Sequence, residues 1–375
     1  MKKDKTKKSL AKKIGIIIGI IVILVIIVAL SFKIGCNLVS NIDEEKGEKK
    51  EAREIKQQNI TDYNRNEDNT YLTFPEWHIV YISEEYADFI EKNNPSGFPY
   101  FRTIGQFWKG YCTVYKITSS EYKFNGQYHL MIWVIGVSTS IEYGLKGIYE
   151  NTIGRITELL SFSQKTEEDQ FAYRMNKEYV TFIYDYPWYK FSFWAKEKEL
   201  WKEVKIFGKK MIRKWERRSI LTLELGVKTV YGGIIKFAMG NIYGSDATEI
   251  YVTVENIPES LLKKENRIKR ITNSSDEEEI VLIPRYRQFT EVVITMAREG
   301  VIFKDIAGNQ EILITLIAPK EWEYKLSEGK QLFSMQGLNQ PEVNRIGVKV
   351  PVQKLHKILP ELESEHIKIE HIYDY

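Results

Sequence analysis

Two short phrases hold the acid and base groups best placed to act together. Glu142 and Lys146 stand four apart in IEYGLKGIY, and Glu224 and Lys228 four apart in LELGVKTVY. On a helix that spacing brings both side chains onto one face, and Glu ahead of Lys is the better order. Apolar residues precede each pair (Leu130 to Ile135; Ile220, Leu221 and Leu223), which predicts partial burial. Removing one partner from a buried pair costs about 3–5 kcal/mol, because the other charge is stranded. Two uses follow: a clasp fixing two long helices about a pseudo-twofold, or a pocket where two carboxylates and two ammoniums meet a substrate. A second cluster, FPEWHIVY, offers Glu76 and His78 as acid and base beside Tyr81. Residues two apart on a helix do not face each other, however. A Glu76 that caps the helix, in a Thr73-to-Glu76 capping box, and a His78 at the core edge explain the same residues.

Other chemistry is sparse. The chain has no P-loop, G-x-G-x-x-G, G-x-S-x-G or H-E-x-x-H. Its five histidines are scattered, and His356, His366 and His371 are expected at the surface. Cys36 and Cys112 are too few for a disulfide framework or a cysteine-rich metal site. Cys112 reads as a small buried hydrophobe. No metal and no cofactor is expected. The 54 Lys and Arg nearly balance 51 Asp and Glu, and without a nucleic-acid motif no nucleic-acid partner is expected.

The elements that must position these groups begin at Tyr71. Residues 71–244 read as mostly helical and rich in aromatics, and they contain an ordered self-similarity. EYADFI (85–90) recurs as EYVTFI (178–183), Pro99-Tyr100-Phe101 as Pro187-Trp188-Tyr189, Phe107-Trp108 as Phe193-Trp194, and the two E-x-x-x-K phrases close the series. The offsets of 93, 88, 86 and 82 preserve order, as a duplicated helical domain predicts. Within it, Tyr128–Tyr149 and Ser219–Tyr243 are long enough to span a bilayer, but a central Glu and Lys in each argue against spanning. The basic run Lys209, Lys210, Arg213, Lys214, Arg217, Arg218 reads as a solvated helix face or a contact for anionic headgroups.

Residues 245–375 change texture. Strands are expected over 249–254, 280–283, 301–306, 311–317, 331–335, 345–350 and 367–373. Helices fall at Phe289 to Met296 and Leu355 to Leu359, the second halted by Pro360, and Ala307-Gly308-Asn309-Gln310 signals a hairpin. The order suggests a ferredoxin-like α/β sandwich, so the fold class is α+β.

At the N-terminus, residues 14–32 carry no charge for 19 residues, about 28 Å as a helix, which matches a transmembrane helix. Residues 1–13 hold seven Lys against one Asp, a basic cytoplasmic tail by the positive-inside rule. They carry a local +6 of the overall +3, so the remainder is mildly acidic. A cleaved signal peptide would have a shorter apolar core and small residues at the cut. Residues 33–70 then form a charged spacer.

TYLTFPEWHIVYISEEYADFI, NPSGFPYFRTIGQFW and IEYGLKGIYENTIGRITELL resemble a family of uncharacterised bacterial proteins that share the phrases FPEWHIVY, PSGFPYF and EYGLKGIYENT. The likeness covers about Tyr71 to Tyr243. It implies a bacterial, membrane-anchored, cell-envelope setting and carries no activity with it. The expectation is a single-pass membrane protein, N-terminus cytoplasmic and bulk extracytoplasmic. It would bind or scaffold at the membrane surface, with the lipid bilayer and a protein partner or second copy as partners. The alternative is an enzyme acting on a lipid-like or amphiphilic envelope substrate between the helical repeats.

Overall fold

The structure, a computed structural model, describes Cys36 and residues 71–119, 124–242, 248–271, 278–325 and 328–374. The expected tail, anchor and spacer lie outside the described residues, apart from Cys36. The observed class is α+β: aromatic-rich helices followed by antiparallel sheets.

The helical half runs α1 (Thr73–Lys92), α2 (Tyr100–Thr118), α3 (Gly126–Tyr149), a π-turn at Glu150–Gly154, α4 (Arg155–Leu160), α5 (Glu167–Ile183), α6 (Phe193–Glu203) and α7 (Met211–Ile242). Helix α1 is buried on two sides. Phe74, Trp77 and Tyr81 enter one core, while Ile82, Tyr86 and Ile90 enter another. Its N-cap is Leu72 with no side-chain cap, so Thr73-Phe74-Pro75-Glu76 is not a capping box. The capping box belongs to α5, where Asp169 accepts from the Thr166 N–H and the Thr166 hydroxyl accepts from the Asp169 N–H.

One geometry occurs twice. Tyr86, Phe89, Phe98 and Tyr100 stack as Tyr179, Phe182, Phe191 and Phe193 do, all at an offset of 93 residues. Ring centroids lie 5.1 Å apart for Tyr86–Phe98 and 5.2 Å for Tyr179–Phe191. They lie 5.5 and 5.4 Å apart for Phe89–Phe98 and Phe182–Phe191. A 3₁₀ turn, Pro95–Gly97 or Trp188–Lys190, precedes the second helix of each set. Phe193 opens α6 as Tyr100 opens α2, whereas Phe107 sits mid-helix, so the pairings at offsets 88 and 86 match residue types but not positions. The length difference falls later, because α2 has 19 residues and α6 has 11.

The C-terminal half holds β1 (Glu249–Glu255), α8 (Glu259–Lys264), β2 (Lys269–Arg270), β3 (Glu278–Pro284), α9 (Arg287–Arg298) and β4 (Ile302–Ile306). There follow β5 (Glu311–Pro319), β6 (Lys330–Gln336), β7 (Val343–Pro351), α10 (Leu355–Ser364) and β8 (Lys368–Ile372). Two four-stranded antiparallel sheets form, in the orders β2-β3-β1-β4 and β6-β7-β5-β8. Each sheet therefore uses the same pattern. The register slips at Thr253/Val254 between β1 and β4, and at Thr315/Leu316 between β5 and β8. Glu-Ile-x-Val-Thr-Val in β1 matches Glu-Ile-x-Ile-Thr-Leu in β5, a repeat that sequence reading missed.

The hairpin expected at Ala307–Gln310 is instead the passage from one sheet to the other, with a single bridge between Ile306 and Asn309. Ala307 and Gly308 both take positive φ there, 50° and 85°. Pro360 does not stop α10, which continues to Ser364 with the proline inside it. Apolar side chains of both sheets, α9 and α10 share one core. Strand β5 is buried on both faces. Ile312, Ile314 and Leu316 join that core, while Leu313 joins the helical one. The halves meet there: Phe74 lies 4.4 Å from Phe333, and the Tyr81 and Tyr373 hydroxyls are 2.6 Å apart.

Candidate functional site

Helices α3 and α7 bring the two E-x-x-x-K phrases together, and the pairing crosses between helices. Lys146 Nζ lies 2.7 Å from Glu224 and 3.5 Å from Glu142. Lys228 Nζ lies 2.9 Å from Glu142 and 3.1 Å from Glu224. Each ammonium also sits over the tyrosine of its own repeat, Lys146 4.9 Å from the Tyr86 ring centre and Lys228 5.5 Å from Tyr179. The quadrupole of each ring favours the cation above it. The four charges sum to zero.

Their protonation is fixed. Burial alone would raise Glu142, but Lys228 and Lys146 outweigh it and hold the carboxyl below its usual range. Burial likewise opposes ionisation of Glu224, yet the same two lysines pull it down to about 2. Desolvation acts to lower both lysines, and the carboxylates more than reverse it, leaving Lys146 and Lys228 above their ordinary value. A general acid or base works best with a pKa near the operating pH. None of the four is held there.

The space beside them is small. A cavity of about 40 Å³ is lined by Ser83, Tyr86, Thr139 and Asn176 along with members of the cluster. That is room for roughly two or three waters, far from the roughly 300–1,000 Å³ of a ligand pocket. Geometry and charge together make the cluster a clasp between α3 and α7.

A second network, which the sequence did not reveal as such, ties the start of α7 to the rest. Arg213 donates to Gly154 O and Thr157 Oγ1, both at 3.0 Å, and reaches Asp169 at 3.2 Å. Arg217 lies 2.8 Å from Glu150 and 2.6 Å from Glu216. Arg218 lies 2.8 Å from Glu168, and Lys214 lies 2.9 Å from Glu167. Arg213 and Arg218 are each 1% exposed. The basic run is therefore neither a solvated face nor a headgroup contact at these four positions, because acidic residues of α5 and the π-turn draw it inward. At Gly154 a Cβ would meet the Glu150 carboxylate at 2.4 Å, so a side chain there would push that carboxylate aside.

Glu76 and His78 do not meet. Glu76 accepts from the Tyr128 hydroxyl at 2.9 Å. His78 is buried edge-on to Phe107, 5.5 Å away, and desolvation together with Arg345 lowers its pKa to about 3. His371, expected at the surface, is buried 3.7 Å from the Trp77 ring, where desolvation lowers its pKa to about 3. The helical half covers that end of β8, and this tertiary contact is invisible to strand alternation. His366 is exposed and His356 half-buried. Among the described residues, no group of three or more His, Cys, Asp or Glu could hold a metal ion.

Cys112 is buried, but as half of a disulfide with Cys36. Its neighbour on α2, Tyr111, bonds His129 at 2.7 Å and Trp133 at 2.8 Å near the N-terminal end of α3.

The outer sides of α3 and α7 are apolar. On α3, Leu130, Val134, Val137, Ile141, Leu145 and Ile148 are exposed at i, i+3 and i+4 spacing. On α7, Leu223, Val227, Val230, Ile234 and Phe237 repeat the pattern. In both helices the clasp residues follow stripe residues by one position, about 100° round the axis. With the clasp edges turned toward each other and α1 and α5 behind, the two stripes share the opposite side. Among the described residues, no helix is long and apolar enough to cross a membrane. Comparison with family profiles, curated proteins and solved structures finds no match.

Proposed function

We propose that the protein is a single-pass, membrane-anchored module of a bacterial cell envelope that binds or scaffolds at the membrane surface. Residues 14–32 are the anchor, with the basic tail cytoplasmic and the folded body outside. The observation that carries this reading is the Cys36–Cys112 disulfide. Disulfides persist in oxidising compartments, as the body would meet beyond the membrane. Cys36 lies four residues past Phe32, a reach of about 14 Å at most. The link thus holds α2 close to the end of the anchor.

The doubled aromatic stacks support a duplication of the helical unit. The sheet order β2-β3-β1-β4, with α8 and α9 in the connections, supports a ferredoxin-like unit. A second such unit, lacking the first helix, would follow it. The small cavity and fully ionised clasp give the enzyme alternative no support.

Protease accessibility tests the reading. With a specific cleavage site placed between residues 41 and 70, protease added to intact cells is expected to cut the chain. Anchor and body should then separate only after reduction. A site that is cut only after lysis, or fragments that part without reductant, would contradict it.

A further inference from the structure

We infer that the paired apolar stripes of α3 and α7 lie in the interfacial layer of the bilayer that carries the anchor. This rests on the membrane-anchored reading above and names the partner of its binding face. Three observations carry it. The first is that the stripes are long and share one side. Leu130 to Ile148 covers about 27 Å of helix and Leu223 to Phe237 about 21 Å, at 1.5 Å per residue. Monomeric soluble proteins rarely expose contiguous apolar surface on this scale.

The second is where the chain outside the described residues ends. The apolar segment 14–32 stops four residues before Cys36, and Cys36 is bonded to Cys112, whose neighbour Tyr111 bonds His129 and Trp133 at the Leu130 end of the α3 stripe. The stripe therefore begins where the anchor leaves the lipid. A single anchor helix could cover one stripe, but a bilayer surface covers both.

The third is the distribution of charge. Helices α3 and α7 cannot stand across the membrane, because α5 and α1 behind them carry the exposed ion pair Lys177–Asp88. Lying flat, an amphipathic face sinks about 5–10 Å into the boundary of headgroups and chains. The clasp beside the stripes has no net charge to expel it. Arg213, Lys214, Arg217 and Arg218 are paired inside the protein. Docking is thus driven by apolar contact, and it should persist in high salt and on lipid without net charge.

The test uses the full chain with its disulfide intact, reconstituted in phosphatidylcholine vesicles. An environment-sensitive fluorophore is placed at Val137→Cys, Val230→Cys or, as control, Lys325→Cys; the wild-type residues are 41%, 66% and 81% exposed, the last for its side chain. Nitroxide-labelled lipid is expected to reduce emission about twofold at both stripe positions, in low and high salt, and to leave the control unchanged. Quenching of both labels by aqueous iodide instead would overturn the inference. So would shielding from lipid and iodide alike, with a cross-link from Val137→Cys to Val25→Cys of the same chain or to a second copy. In that last case the membrane-anchored reading still stands, since external protease and reductant judge it separately.

Discussion

The two halves of the molecule differ in what they leave on the surface and in how much charge they enclose. In the C-terminal half, Val252, Val254, Val348, Val350, Phe303 and Leu359 are fully enclosed, Lys304–Glu255 sits on the rim, and the buried pair Arg345–Glu370 lies against Glu85 of α1. In the helical half, Arg213 and Arg218 rank among the largest fully buried side chains, while Leu145, Val227 and Val230 face outward. The sheets follow the ordinary rule that apolar area leaves water. The helices depart from it on one face, and a face built that way belongs against an apolar neighbour. Charges inside and leucines outside are two parts of one arrangement.

The comparison can be broken most sharply at Arg213. Replacing it with Ala strands Asp169 in a buried site, and about 3–5 kcal/mol of stability should disappear. Chemical denaturation measures this; a loss below about 1 kcal/mol would show that water replaces the guanidinium cheaply.

Acid should act next. His78 and His371 are held neutral near 3, while an unfolded chain takes up the proton near 6.5. The unfolded state binds more protons in that window, so stability is full above pH 6.5 and falls as pH drops toward 3. The two together should cost about 3 kcal/mol by about pH 5.5, and more below it. Glu224 adds its loss only below the ordinary carboxylate range, as pH falls toward about 2. Thermal unfolding across pH should show the decline beginning near 6.5, and His371→Gln should shallow it.

Glu224→Gln comes third. Its carboxylate contacts both lysines but is 16% exposed, so the buried-pair figure is discounted to about 2 kcal/mol. The smallest effect is expected outside. Val230→Ser should change folding stability by less than about 0.5 kcal/mol, whereas Val348→Ser in the sheet core should cost about 2–4 kcal/mol. If the two cost the same in water, the outward face is covered within the protein and the contrast fails.

Much of this was legible in the chain. The E-x-x-x-K spacing gave the clasp residues, because i, i+4 geometry is local. Their exchange of partners between helices depends on how α3 and α7 dock, which no spacing encodes. The fate of Arg213 and Arg217 turned on Asp169 and Glu150, residues 44 and 67 positions away, so composition alone suggested a surface. The aromatic repeat was found, but identical letters pulled its middle out of register; stacking geometry restored one offset. The sheet repeat escaped because β-strand segments of Ile, Val and Thr look alike everywhere. Cys36 and Cys112, 76 residues apart, could be paired only by the fold.

Exchanging charges across the clasp tests the central claim most directly. The pair Glu142→Lys with Lys228→Glu reverses the contact between positions 142 and 228 and leaves the Lys146–Glu224 contact between α3 and α7 as it is. Each single change should lower the unfolding midpoint by several degrees. The double variant should recover most of that loss, short of a few tenths of a kcal/mol for like charges at i, i+4. A double variant no more stable than the worse single would contradict the clasp.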